Sequence, residues 1–119
     1  MSNPNLRYAA SIYGGVALYD VTTVLSSVLS NAASSNKIIK VNSIFVANTS
    51  SAQATDVSVA INDGTTDYYL ARNITVPAAA SLMVGTKETY TYLPENYSVK
   101  CQASVNSNLT ITISYEEIS

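Results

Sequence analysis

The second half of the chain alternates. Tyr97, Val99, Cys101, Ala103 and Val105 occupy every second position. Leu109, Ile111, Ile113 and Tyr115 repeat the pattern, with Thr110, Thr112 and Ser114 between them. Period 2 marks a strand with one buried face. Residues 56–62 follow the same rule: Val57, Val59 and Ile61 point one way, Asp56, Ser58 and Asn62 the other. Asp63-Gly64 comes next, a hairpin signal suited to the positive φ angles of a type I′ turn, and 67–74 is the predicted returning strand. In residues 37–48, Ile39, Val41, Phe45 and Ala47 fall on one face by strict alternation, with Lys40, Asn42 and Asn48 on the other. Shorter strands are expected at 81–84 and at 88–93, the latter with Tyr90 and Tyr92 on one face. Polar or Pro-containing turns separate these runs at 48–53, 77–80, 94–96 and 106–108.

Two stretches are less regular. In residues 16–29, Val21, Val24, Leu25, Val28 and Leu29 sit at helical spacing, with Asp20 as a possible cap. Val21-Thr22-Thr23-Val24 is largely β-branched, however, and Ser26, Ser27 and Ser30 weaken a helix. One or two strands are the prediction there. Residues 1–15 are polar, carry Pro4 and end in Gly14-Gly15, which reads as an extended N-terminal arm joined to a body over 16–119. The apolar arm residues Leu6, Tyr8, Ile12 and Tyr13 are the candidates for contact between subunits. With about eight short strands spaced by turns, the fold class is all-β: an antiparallel β-sandwich or jelly roll with that arm. No internal repeat is evident.

Composition narrows the chemistry. The chain has 119 residues, enough to bury a core without disulfides or metal. It has no His, which removes the commonest general base, the usual triad and the usual zinc ligand. One Cys removes a disulfide framework, and Cys101 falls on the inward set of its strand, as a structural thiol would. Only 12% of residues are charged and the net charge is −2, so the basic footprint of a nucleic-acid binder is missing. No run reaches the roughly 18 apolar residues of a membrane-spanning helix, and the first residues do not read as a secretory signal. Four Asn-X-Ser/Thr sequons, at Asn48, Asn73, Asn96 and Asn108, are what chance gives in a chain this rich in those residues.

Few groupings could do chemistry. Asn62-Asp63-Gly64-Thr65-Thr66-Asp67 gathers oxygen ligands suited to Ca²⁺, but a plain hairpin turn explains it better. Glu116 and Glu117 are adjacent, so they point to opposite faces of a strand. Tyr68-Tyr69 and Tyr90-Thr91-Tyr92 could stack on sugar rings, although packing or an interface is the commoner use of Tyr. No catalytic residue, metal or cofactor is expected, and the reading is non-enzymatic.

Ile44-Phe45-Val46-Ala47-Asn48-Thr49, Val59-Ala60-Ile61-Asn62-Asp63-Gly64-Thr65-Thr66-Asp67-Tyr68-Tyr69-Leu70-Ala71, Val76-Pro77-Ala78 and the ending Ile113-Ser114-Tyr115-Glu116-Glu117-Ile118-Ser119 carry a family likeness. Together, over roughly residues 37–119, they resemble small virion structural proteins of tailed bacteriophages, particularly of marine and cyanobacterial phages. Glu95-Asn96 stands where members of that family often have Gly-Asp, which leaves the turn type open. The resemblance implies a sandwich subunit present in many copies on the particle. It implies a homo-oligomer whose partners are the major capsid protein or other virion proteins, with no nucleic acid and no membrane. A capsid decoration (cement) protein is the first expectation. A neck, tail or fibre component, with a carbohydrate-binding role for Tyr68, Tyr69, Tyr90 and Tyr92, is the alternative.

Overall fold

The computed structural model describes residues 11–119, apart from the Lys87 side chain. Among these, nine strands form: β1 (Ile12–Asp20), β2 (Ser26–Ser30), β3 (Ile38–Asn48), β4 (Thr55–Asn62), β5 (Asp67–Val76), β6 (Ser81–Gly85), β7 (Thr91–Leu93), β8 (Ser98–Ala103) and β9 (Leu109–Ile118). They make two antiparallel sheets. One runs β1-β9-β3-β6, with β7 also on β3; the other runs β2-β8-β4-β5. The pairing is nested: β4 with β5, β3 with β6 and β7, β2 with β8, β1 with β9. The result is the expected all-β sandwich, with one strand more than the sequence announces.

The core lies between the sheets. Ile39, Val41, Ile44 and Val46 of β3 meet Leu109, Ile111 and Ile113 of β9 in one layer. Val57 and Val59 of β4 and Val99, Cys101 and Ala103 of β8 form the other. Apart from Ile44 and Val46, these are the alternating residues of the sequence, and β-branched side chains fill a pleated, close-packed layer well. Burying each large aliphatic contributes about 1.5–3 kcal/mol, which makes this layer the main source of stability.

Strict alternation misplaces half of β3. Val41 pairs with Tyr115 but Ser43 pairs with Ser114, so Asn42 is an extra residue opposite no partner. This β-bulge reverses the phase of everything after it. Ile44, Val46 and Asn48 therefore turn inward, while Phe45, expected in the core, is exposed and Ala47 is only half-buried.

Three further corrections follow from pairing. The expected arm ended at Gly15, yet Ile12, Tyr13, Gly14 and Gly15 belong to β1, in unbroken register with β9 from Ile12↔Ile118 to Asp20↔Thr110. Gly15 permits this: a Cβ there would meet the Tyr115 ring, which lies on the glycine backbone. Leu6 and Tyr8, and the rest of the arm up to residue 10, lie outside the described residues. The predicted strand over 88–93 opens with a 3₁₀ turn, Lys87–Thr89, before β7 begins. The Asp63-Gly64 hairpin forms, but not as a two-residue type I′ turn. Asn62 pairs with Asp67 across a longer loop, and only Gly64 has a positive φ, at 100°.

Two buried asparagines tie the loops to the sandwich. Asn48 Nδ2 donates to the carbonyls of Gln53 (2.8 Å) and Val76 (3.0 Å), and its Oδ1 accepts from the Ser50 N–H. Asn31 Nδ2 donates to the carbonyls of Lys37 and Leu93, both at 2.8 Å, while Oδ1 accepts from the Ser35 hydroxyl. Buried amides are tolerated when satisfied in this way. Strict alternation places Asn48 on the outer face.

Candidate functional site

The two outer faces of the sandwich differ. Across β8 and β4, the registered rows are Gln102 beside Ser58, Lys100 beside Ala60 and Ser98 beside Asn62. This face is polar, and Lys100 lies 4.0 Å from Asp67 at its edge. The face of the β1-β9-β3-β6 sheet is not. Register places Leu18 beside Thr112, Thr112 beside Phe45, and Phe45 beside Met83. Leu18 is 73% exposed, Phe45 40% and Met83 49%. One row of side chains thus carries three large apolar groups from one edge of the sheet to the other. Val16, two residues before Leu18 on the same face, is also exposed. In the next row, Ser114 and Ser43 are uncharged.

This band is built by the bulge. With Phe45 turned outward at Asn42, β3 supplies the central member, which β1 and β6 extend on either side. No pattern within a single strand shows it, because its members are far apart in sequence. Thr112 of β9 stands between Leu18 and Phe45 in this row.

The same face continues onto β7. Tyr92 registers with Lys40, and the Tyr90 and Tyr92 rings meet edge to face with centroids 5.6 Å apart. The Lys40 ammonium sits 4.5 Å from the centre of the Tyr90 ring, a cation–π contact that occupies one ring face. Tyr68 and Tyr69 do not join this pair. They lie on β5, in the other sheet, where they register with Ile61 and Ala60. As consecutive strand residues they point to opposite faces. The Arg72 guanidinium lies 5.0 Å from the centre of the Tyr69 ring. Leu70 faces the seam between the sheets and, with Val84, Thr89 and Thr91, lines a cleft of about 180 Å³.

The oxygen-rich loop serves its own backbone. Asp63 Oδ1 accepts from the N–H groups of Thr66 (2.8 Å) and Thr65 (3.0 Å), which hold its carboxyl below the usual carboxylate range. Asn62 Oδ1 accepts from the Gly64 N–H, and its amide donates to Asp67. Among the described residues, no group of three or more acidic, Cys or His side chains could hold a metal ion. Cys101 is fully buried, and desolvation pushes its thiol up to about 12. A thiol so placed is a packing group, not a nucleophile. Ile12 and Tyr13, named as contact residues, are exposed on β1.

No family model matches the chain, and no curated protein does. Among solved structures, it is similar to a pentameric capsid protein isolated from metagenomic phage sequences, with 14% identity and a TM-score of 0.42. The match covers 84% of this chain and spans 59% of the length of that one. The likeness is too distant to carry function.

Proposed function

We propose that the chain is a virion structural protein of a bacteriophage, and within that class a capsid decoration protein that binds and stabilises the head without catalysis. The observation that carries the reading is the apolar band Leu18–Phe45–Met83 on an outer face whose charged side chains, Asp20, Lys40 and Glu116, lie in other rows. Interfaces concentrate apolar and aromatic groups and exclude charge at their centre, and a standard one covers about 800 Å² per partner, within reach of a sheet this size. The nested strand pairing supports the jelly-roll reading, a wrapping found in viral capsid and lectin domains. The sequence resemblance to small phage virion proteins points the same way. The partner is the major capsid protein, and Leu6 and Tyr8 add contacts from ahead of β1.

The test is co-sedimentation with particles stripped of the protein. Phe45→Lys puts a charge at the centre of the band and is expected to weaken binding at least about tenfold, a loss of about 1.4 kcal/mol. Deleting residues 1–10 tests the arm without removing β1. Unchanged occupancy in the first case contradicts the band, and in the second the arm.

The exposure of Tyr68 and Tyr90 favours one second reading, a neck, tail or fibre component that stacks sugar rings on Tyr68, Tyr69, Tyr90 and Tyr92. Glycan-array binding that is lost on Tyr90→Ala supports it; an empty array removes it.

A further inference from the structure

A strand at the edge of a sheet offers unpaired backbone groups, and proteins ordinarily blunt such edges with charge, proline, bulges or short length. Five strands border the two sheets here, and four are blunted, β7 by having only three residues. β2 and β6 have five residues each, and each shifts register once against its neighbour. β5 is long, but its register against β4 shifts twice, Asn73 holds a φ of 50°, and Arg72 sits on it. β1 has none of these devices. Its nine residues pair without a break, and no charge precedes Asp20 at its end. Among the described residues, nothing pairs with its outer edge.

The hydrogen-bond phase fixes which groups are free. Ser11 and Ser119 exchange both backbone bonds, at 3.1 and 2.9 Å, and Val21 N–H donates to Leu109 O. Antiparallel pairs alternate, so the odd-numbered residues of β1 bond to β9. The N–H and C=O groups of Ile12, Gly14, Val16, Leu18 and Asp20 point away from the sheet.

We infer that β1 is a copy-to-copy interface, in which two chains pair their β1 strands antiparallel about a twofold axis at Val16. The occupant follows from the edge itself. A long regular edge needs a partner of equal length and regularity, and the other long described edge, the ten-residue β5, is interrupted. An antiparallel pairing centred on Val16 sets Val16 opposite the partner's Val16, Leu18 opposite Gly14, and Ile12 opposite Asp20. Every free group then meets a free group, because even-numbered residues face even-numbered ones. The side chains agree. Space around Gly14 is open on the face where Leu18 projects, since a Cβ there would meet nothing within 4 Å. No like charges oppose each other. The two β1-β9-β3-β6 sheets become one continuous sheet, with both apolar bands on the same outer face, offset along the strands by four residues and with the Val16 pair between their Leu18 ends. Such an interface is isologous, the commonest kind among homo-oligomers. This inference goes beyond particle binding and does not rest on it.

The experiment measures the solution mass of the full-length chain by light scattering. The wild type is expected to be a dimer. Val16→Lys alone and Val16→Glu alone each place like charges across the axis and are expected to run as monomers. Mixed in equal amounts, they are expected to return to the dimer, because the axis then sets Lys opposite Glu. A misfolded variant would not be rescued by mixing, so rescue separates interface from stability. A wild-type monomer or an odd-numbered ring overturns the inference. So does a Val16→Lys dimer, or a mixture that stays monomeric.

Discussion

Deleting Asn42 from the middle of β3 is expected to leave the fold intact. Loss of one residue within a central strand ordinarily turns half of its side chains to the wrong face. Here the register already contains one residue too many. Val41 opposes Tyr115 and Ser43 opposes Ser114, so removing Asn42 joins two segments that are each in phase with β9. Ile39, Val41, Ile44, Val46 and Asn48 remain inward. The deletion forfeits a 3.3 Å hydrogen bond from Asn42 Nδ2 to Glu116. It also removes a buried amide oxygen, Asn42 Oδ1, that has no hydrogen-bond partner among the described residues. A weak bond lost and an unsatisfied acceptor removed nearly cancel, to within about 1 kcal/mol. In a chain of this length that is about 4 °C in melting temperature. The control deletes Thr112 from β9, which has no bulge against β1 to absorb the change. Ile113 and Tyr115, or Leu109 and Ile111, must then turn outward. Exposing two such side chains costs about 3–6 kcal/mol, a large part of the roughly 5–15 kcal/mol that holds a domain folded. Thermal and urea unfolding followed by far-ultraviolet circular dichroism compare the two. A deletion of Asn42 that melts more than about 10 °C below the parent would refute the reasoning, because the phase change would then not reside in that residue.

Asn48→Ala removes three hydrogen bonds from a buried site and is expected to cost about 2–4 kcal/mol, read as a lower urea midpoint with an unchanged slope. Cys101 should resist thiol reagents until the chain unfolds. Its thiol is raised in the folded state, so stability is fully present below the thiol's ordinary value of 9.0 and falls as pH rises toward about 12, by at most about 1.4 kcal/mol per pH unit. Urea titrations at pH 7, 9 and 10.5 check the slope (Cys101→Ser removes it), and a slope that survives the substitution assigns it to other groups. Gly64→Ala forces a side chain into a φ of 100° and against the Asn96 amide, and is expected to cost about 1–2 kcal/mol in a melting experiment.

Regular strands were legible and irregular ones were not. β4, β8 and β9 alternate in sequence as they alternate in space, so Val57, Val99, Ile111 and their neighbours can be placed inward from the pattern alone. β3 defeats the pattern because its bulge falls at Val41-Asn42-Ser43, without a Gly or Pro to signal it. β1 reads as an arm because polar residues and a double glycine suggest a flexible leader. What makes it a strand is the Tyr115 ring over Gly15, supplied from the far end of the chain. The Asp63-Gly64 signal gave the hairpin but not its length, since the Asp63 carboxylate binds the Thr65 and Thr66 N–H groups and stabilises a wider loop. The Tyr90–Tyr92 pair could be seen from its spacing. The Leu18–Phe45–Met83 band could not, because a row across a sheet exists only once the register of four strands is known.

The central claim, that this sandwich is built to be packed into a phage particle, is tested most directly by cryo-electron microscopy of the purified virion. The account predicts density for the sandwich in many symmetric copies on the head, with the Leu18–Phe45–Met83 face turned toward the capsid. Particles that lack the protein, or that carry it with this face open to solvent, contradict it.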